Sequence, residues 1–297
     1  MTIMKAKLWK KILISLIGFV IAVAFSSCAI EEYSWRTDLV HAIEKGDLEA
    51  TKLLLQESGK DINRDGNVFL QFIFGSEVAS QTPFEAALYS NDLDMLREVL
   101  SYEGVIPYCE EENPVGWVLS AVNDGSWQER HEVVKLMFEK GLEPDAIVDD
   151  GMAVLCCIAG EDLMMEDQYN EKKAQGIQQL YAWTLERSEN KMPKDDTGTT
   201  PLHWAIASGN LVLAEYLIEE LNYTINQKND NGETPIIFLF KDCYKDYMNE
   251  SLVEEVVLFC IEQSASLSTK DLDGNTAYDY AKSAGFDDIA NLLVVNP

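Results

Sequence analysis

Histidine is scarce in this chain, and acids outnumber basic residues more than two to one. Against 51 aspartates and glutamates stand 23 lysines and arginines and three histidines, a formal net charge of −28. That excess excludes nucleic acid and anionic lipid headgroups as partners, because their phosphates would be repelled. Among three histidines no pair has metal-ligand spacing, no Ser, Cys or Asp stands in a nucleophile motif, and no glycine-rich loop follows a strand to cradle phosphate. Asp271-Leu272-Asp273-Gly274-Asn275 imitates half of a calcium loop but lacks the later Glu that would complete it. The chain therefore reads as no enzyme, with no cofactor, no metal and no small-molecule substrate. Cysteine is sparse as well. Setting Cys28 aside, Cys109, Cys156, Cys157, Cys243 and Cys260 are odd in number and follow neither a disulfide framework nor zinc spacing. They read as free packing thiols, which an oxidising compartment tolerates only when buried.

Long apolar runs are missing with one exception. Residues 12–25 carry no charge, follow Lys5, Lys7, Lys10 and Lys11, and lead into Ser26-Ser27-Cys28. The run is shorter than the roughly 20 residues a membrane span needs and has the layout of a secretory signal. Small residues ahead of a cysteine resemble a bacterial lipoprotein processing site, with Phe25 standing where that motif usually has an aliphatic. The resemblance implies a signal peptide over 1–27, an acylated Cys28, a tether over 28–33 and a place in the cell envelope. Membrane contact would then be through the lipid alone, on the periplasmic side or cell surface. Two other outcomes fit the same residues: cleavage after Ala22-Val23-Ala24, which leaves Cys28 unmodified, or an uncleaved anchor. Removing 1–27 takes away four lysines and no acids, moving the charge from −28 to −32.

What the rest of the chain has is a repeat. Asp195-Asp196-Thr197-Gly198-Thr199-Thr200-Pro201-Leu202-His203-Trp204-Ala205 opens the clearest copy. Thr200 suits an N-cap, Pro201 the first helical position, Gly209 a φ > 0 turn, and Leu213, Ala214, Leu217 and Ile218 form a helical stripe. Gly232-Glu233-Thr234-Pro235 follows Gly198 by 34 residues, and Gly274-Asn275-Thr276-Ala277 follows 42 later. Thr82-Pro83-Phe84-Glu85-Ala86-Ala87 repeats the opening upstream, with Asn91-Asp92 in place of the Gly-Asn turn. Aligning on the first-helix alanine adds copies at Ala42 and Ala121, and a degenerate one starts near Gly151 and resumes around Gly176. These residues resemble the ankyrin repeat. The resemblance implies an all-α ankyrin-repeat solenoid over 34–297, helix-turn-helix units joined by hairpin-like turns, with about seven repeats and insertions. The stretches near 67–81, 126–129, 160–176 and 242–252 fall outside the period. The 160–176 stretch, acidic with two methionines, reads as a solvated, mobile loop.

The resemblance also implies a concave face built from the hairpin tips and the exposed side of each first helix. The position before the first-helix alanine is His41, Ala86, Ser120, Cys157, Trp204, Phe238 and Tyr280. Trp204, Phe238 and Tyr280 are aromatic in consecutive repeats and read either as partner anchors or as packing between repeats. Asp195, Asp196, Asp230, Asp271 and Asp273 read as an acidic rim that would steer a basic protein partner. His203 reads as structural and His131 as part of a surface turn. The functional expectation is a binding protein of the envelope, with an immunity or inhibitor protein against a basic toxin or hydrolase, or a structural scaffold, as the other readings.

The lipoprotein resemblance generates a direct expectation. Fatty-acid label fed to the producing cell should enter the wild-type chain and be lost in Cys28→Ser. Equal labelling of both contradicts the anchor.

Overall fold

The computed structural model describes residues 34–57, 60–63, 82–108, 114–120, 126–146, 151–164, 170–241 and 248–294. Cys28, the signal region, the stretch at 67–81, Cys109 and Cys243 lie outside them. The described residues hold helices and turns and no strand, and no helix among them is long and apolar enough to cross a membrane. Among the described residues thirteen bounded helices, with a further one over 34–44, make seven pairs. That is the number of repeats the alanine register predicts.

The chain divides into two compact units, one ending at Ile106 and the other beginning at Pro107. The first holds α1 (34–44), α2 (Leu48–Leu55), α3 (Pro83–Tyr89) and α4 (Leu93–Ser101). Each start has a chemical reason. Asp47 accepts the Ala50 amide (3.0 Å) ahead of α2, and Asp92 the Met95 amide (2.9 Å) ahead of α4. Thr82 and Glu85 form a reciprocal capping box, and Pro83 sits at the first position of α3, where a missing N–H costs nothing. Asn91, in the slot that glycine fills elsewhere, takes φ +57°. Leu39, Val40, Ile43, Phe84, Leu88, Leu96 and Val99 fill the core, and Trp35 donates its indole N–H to the Leu54 carbonyl at 2.9 Å.

The second unit holds α5 (Pro114–Ser120), α6 (Trp127–Glu139), α7 (Val154–Ala159), α8 (Glu171–Arg187), α9 (Pro201–Ala207), α10 (Leu211–Glu219), α11 (Pro235–Lys241), α12 (Glu250–Glu262), α13 (Ala277–Ser283) and α14 (Asp287–Leu292). First helices of six or seven residues are too short to be stable alone. They persist because each buries a face on its neighbours: Leu202, Ala205 and Ile206, then Ile236, Ile237 and Phe240, then Ala277 and Ala281. Burying each large aliphatic contributes about 1.5–3 kcal/mol. Phe240 of α11 meets Phe286 edge-on at 5.8 Å, carrying the core into the last pair.

The hairpin turns stack as well. The Asp196 amide donates to the Gly151 carbonyl (2.9 Å), the Asp230 amide to Thr197 (2.9 Å), and the Leu272 amide to Asn231 (3.0 Å). Glycine is required where these turns approach. A Cβ on Gly198, at φ +73°, would lie 2.6 Å from an Asp230 carboxylate oxygen.

Two expectations need correction. Residues 160–164 are no solvated loop: Leu163 and Met164 are buried, and helix α8 already runs from Glu171. His131 lies inside α6 and is buried, because it pairs with Glu161 at 2.7 Å. Residues 126–129, outside the period, form the N-cap and first turn of α6, closed by a Ser126–Glu129 capping box, and make that helix 13 residues long against nine for α10. Cys156, Cys157 and Cys260 are buried free thiols. Burial pushes the Cys156 thiol well up and that of Cys260 to about 12, which leaves both unreactive at neutral pH.

Candidate functional site

The row of first helices α9, α11 and α13 puts Trp204, Phe238 and Tyr280 at equivalent positions, and all three are half-buried. Trp204 and Phe238 touch edge to face, with centroids 5.1 Å apart and planes at 78°. Phe238 also meets the buried ring of His203 at 5.8 Å and 89°. On its other side Trp204 lies over Gly160 at the end of α7, where a Cβ would stand 3.1 Å from the indole edge. The indole thus packs between repeats and still keeps part of its surface in solvent. Tyr280 is tied elsewhere. Its hydroxyl donates to Asp271 at 2.7 Å and accepts from the Asn275 amide group at 3.3 Å.

The tip carboxylates divide into two classes. Asp195 accepts the backbone N–H groups of Thr197 (3.0 Å) and Thr199 (2.8 Å) and the Thr197 hydroxyl, which closes its own turn. Asp271 does the same with Asp273 (3.0 Å) and Asn275 (2.9 Å), and is 7 % exposed. Burial works against the Asp271 carboxylate, yet the bonds from Tyr280, Asn275 and Asp273 outweigh it and hold its pKa below the ordinary value. Asn229 occupies the equivalent slot between them, accepting Asn231 and Glu233 amides. Asp195 and Asp271 are therefore engaged turn residues, whereas Asp196, Asp230 and Asp273 point their charge at solvent.

Two features of this surface went unread in the sequence. Leu272 at the last tip is 78 % exposed, an apolar residue between two acids. Behind the tips runs a buried polar chain: Asn229 donates to Thr199 Oγ1 (3.2 Å) and to Glu233 Oε2 (2.6 Å), and Lys241 ion-pairs with the other Glu233 oxygen. The Glu233 hydrogen bond raises the Lys241 pKa. This lysine is thus paired within the protein, while the tips expose Lys194, Lys228 and Lys270 beside Asp196, Asp230 and Asp273. A Glu directly ahead of Thr234-Pro235 was the available signal, but its cation lies eight residues on.

His203 anchors the same chain. Its Nδ1 accepts the Thr200 amide (3.2 Å) and the Thr200 hydroxyl (2.8 Å), so Nε2 carries the proton and donates to the Glu233 carbonyl (3.2 Å). Thr200 therefore serves the ring rather than a helical amide, and the imidazole takes over part of the cap. Burial holds the His203 pKa down at about 4, against an ordinary 6.5, despite the Glu233 carbonyl and the Asp195 and Glu233 carboxylates, which act in the opposite direction.

Residues 169–249 match the family model for ankyrin repeats in three copies. Human ankyrin repeat domain-containing protein 53 is 26% identical over 101 residues, 34% of this chain and 18% of that protein. The 26S proteasome non-ATPase regulatory subunit 10 of Dictyostelium discoideum is 42% identical over 43 residues, 14% of this chain and 18% of that protein. Each match spans less than a fifth of the relative's length. Among solved structures, the ankyrin repeat domain of human ASB11 is similar over 87% of this chain and 98% of its own, at 14% identity and a TM-score of 0.54. The fold is an ankyrin-repeat solenoid.

A neutral buried imidazole has a consequence for stability. Its folded pKa is depressed, so its contribution is fully present above pH 6.5 and declines as the pH falls from 6.5 towards about 4. Between pH 7 and pH 5 the loss from this one group is about 2 kcal/mol. Urea unfolding of wild type and His203→Gln at both pH values should show the variant losing that much less on acidification. Equal losses would mean that His203 is not buried in its neutral form.

Proposed function

We propose that this ankyrin-repeat solenoid is a non-catalytic protein-binding module that takes a basic partner along α9, α11 and α13 and is tethered to the cell envelope through lipid on Cys28. The observation that carries the reading is the Trp204–Phe238 pair, half-buried in adjacent repeats below exposed Asp196 and Asp230. A large aromatic fixed by its neighbours loses little entropy when a partner covers it, which is the character of an interface anchor. The exposed carboxylates cannot add as much affinity, since rim charges stay hydrated. They raise the encounter rate with a cationic surface and disfavour an acidic one. The strongly acidic chain supports the same sign of partner. Lipid on Cys28 would place the array near a bilayer whose anionic headgroups repel it, leaving the solenoid free to meet a protein.

Capture from native membranes with the full chain as bait supplies the partner, and two classes of variant then separate anchor from rim. Trp204→Ala should weaken binding by about 2 kcal/mol or more, mainly through faster dissociation, and lower the melting temperature as well, since the indole packs on Gly160 and Phe238. Asp196→Asn with Asp230→Asn should slow association and flatten its salt dependence with the melt unchanged. Trp204→Ala protein that is folded at the assay temperature and binds as wild type would falsify the anchor.

A further inference from the structure

Residues 160–164 do something a nearest-neighbour array does not ask for. In a solenoid each repeat touches only the next, so coupling decays along the stack. This five-residue segment, leaving the end of α7, reaches four repeats. Glu161 Oε2 lies 2.7 Å from His131 Nε2 in the third repeat, and its Oε1 lies 3.8 Å from Lys173 Nζ in the fourth. Lys173 also donates to the Asp162 carbonyl at 2.8 Å. In the fifth repeat the Leu163 amide donates to the Ser208 carbonyl (3.0 Å), and the Ser208 hydroxyl returns a bond to Ala159 (3.0 Å). In the sixth, the Asn249 amide donates to the Met164 carbonyl at 2.8 Å, at the N-cap of α12.

Side chains seal the crossing. Leu163 is fully buried and Met164 is 2 % exposed. Met164 fills the space over Gly209, where a Cβ would stand 3.1 Å from its sulfur and 2.9 Å from Leu252 of α12. The residue at 209 must thus be glycine on two counts, its φ of +79° and the methionine above it. Glu161 is the fixed end. A hydrogen bond between Oε2 and His131 fixes it, and the Lys173 ammonium stands 3.8 Å from Oε1, which makes no hydrogen bond of its own.

We propose that residues 160–164 are a latch that joins the third to sixth repeats into one cooperative block. The start of α12 cannot open without releasing Met164, and Met164 cannot move far while Glu161 and Leu163 are held. Loosening the segment at Glu161 should therefore be felt in the sixth repeat, across the intact fifth. This inference does not depend on partner binding.

Hydrogen exchange on the full chain, followed by mass spectrometry, tests it. Glu161→Gln keeps the shape and removes the charge, and Leu163→Ala removes the buried anchor should the first variant not fold. Circular dichroism establishes that each is folded. In both, amides at 249–253 should exchange at least about tenfold faster than in wild type. Leu96→Ala, a core truncation in α4 outside the proposed block, should leave those amides unchanged. Unchanged exchange at 249–253 in a folded latch variant overturns the proposal, and so does an equal acceleration by Leu96→Ala, which would be general destabilisation rather than release of the latch.

Discussion

The hairpin turns set the spacing on which the second unit depends. Each turn is closed by one side chain, Asp195, Asn229 or Asp271, accepting amides two and four residues ahead, and each donates one backbone bond to the turn before it. Those bonds bring successive first helices close enough for alanines and isoleucines to pack between them. The same spacing leaves no room for a Cβ on Gly198 against Asp230. A turn that is satisfied internally can be exposed without penalty, which is why the tips can carry charged side chains of both signs.

From that scaffold follows the character of the surface. The position ahead of the first-helix alanine in α9, α11 and α13 lies partly in the stack and partly in water. Trp204 shows the result, seated on Gly160 and against Phe238, its indole nitrogen buried and part of its ring in solvent. Beneath it, His203, Thr199, Asn229, Glu233 and Lys241 form a polar chain in which the ionic pair is satisfied within the protein. Such a chain rigidifies what lies above it. The exposed aromatic surface of Trp204 and Phe238 therefore rests on a fixed bed.

Much of this was legible in the sequence because it is local. Thr82 with Glu85, Pro at the first helical position, Asn91 in a glycine slot and the alanine register all act within one turn of chain, and the register delivered seven pairs. What stayed hidden was long-range. Glu161 reads as one acid among many until His131, thirty residues earlier, and Lys173 close around it. Leu163 and Met164 sit in an acidic run that suggests solvent, and only Ser208, Gly209 and Asn249 from later repeats bury them. The third and fourth copies were faint for a physical reason too. The fourth first helix starts at Ala153, which has no side-chain cap and so leaves no mark. Asp195 and Asp271 looked like rim charges because composition does not distinguish a carboxylate facing water from one holding a turn.

Photo-cross-linking reads the proposed binding face without relying on stability. A benzophenone amino acid replacing Phe238 puts an aromatic reactive group in the groove with modest disturbance, and the same group at Leu258, exposed on α12, samples the second-helix row. On irradiation in native membranes the chain carrying the probe at 238 should yield a discrete cross-linked protein of basic character, and the probe at 258 should not. Cross-linking from 258 with none from 238 would contradict partner binding along the first helices.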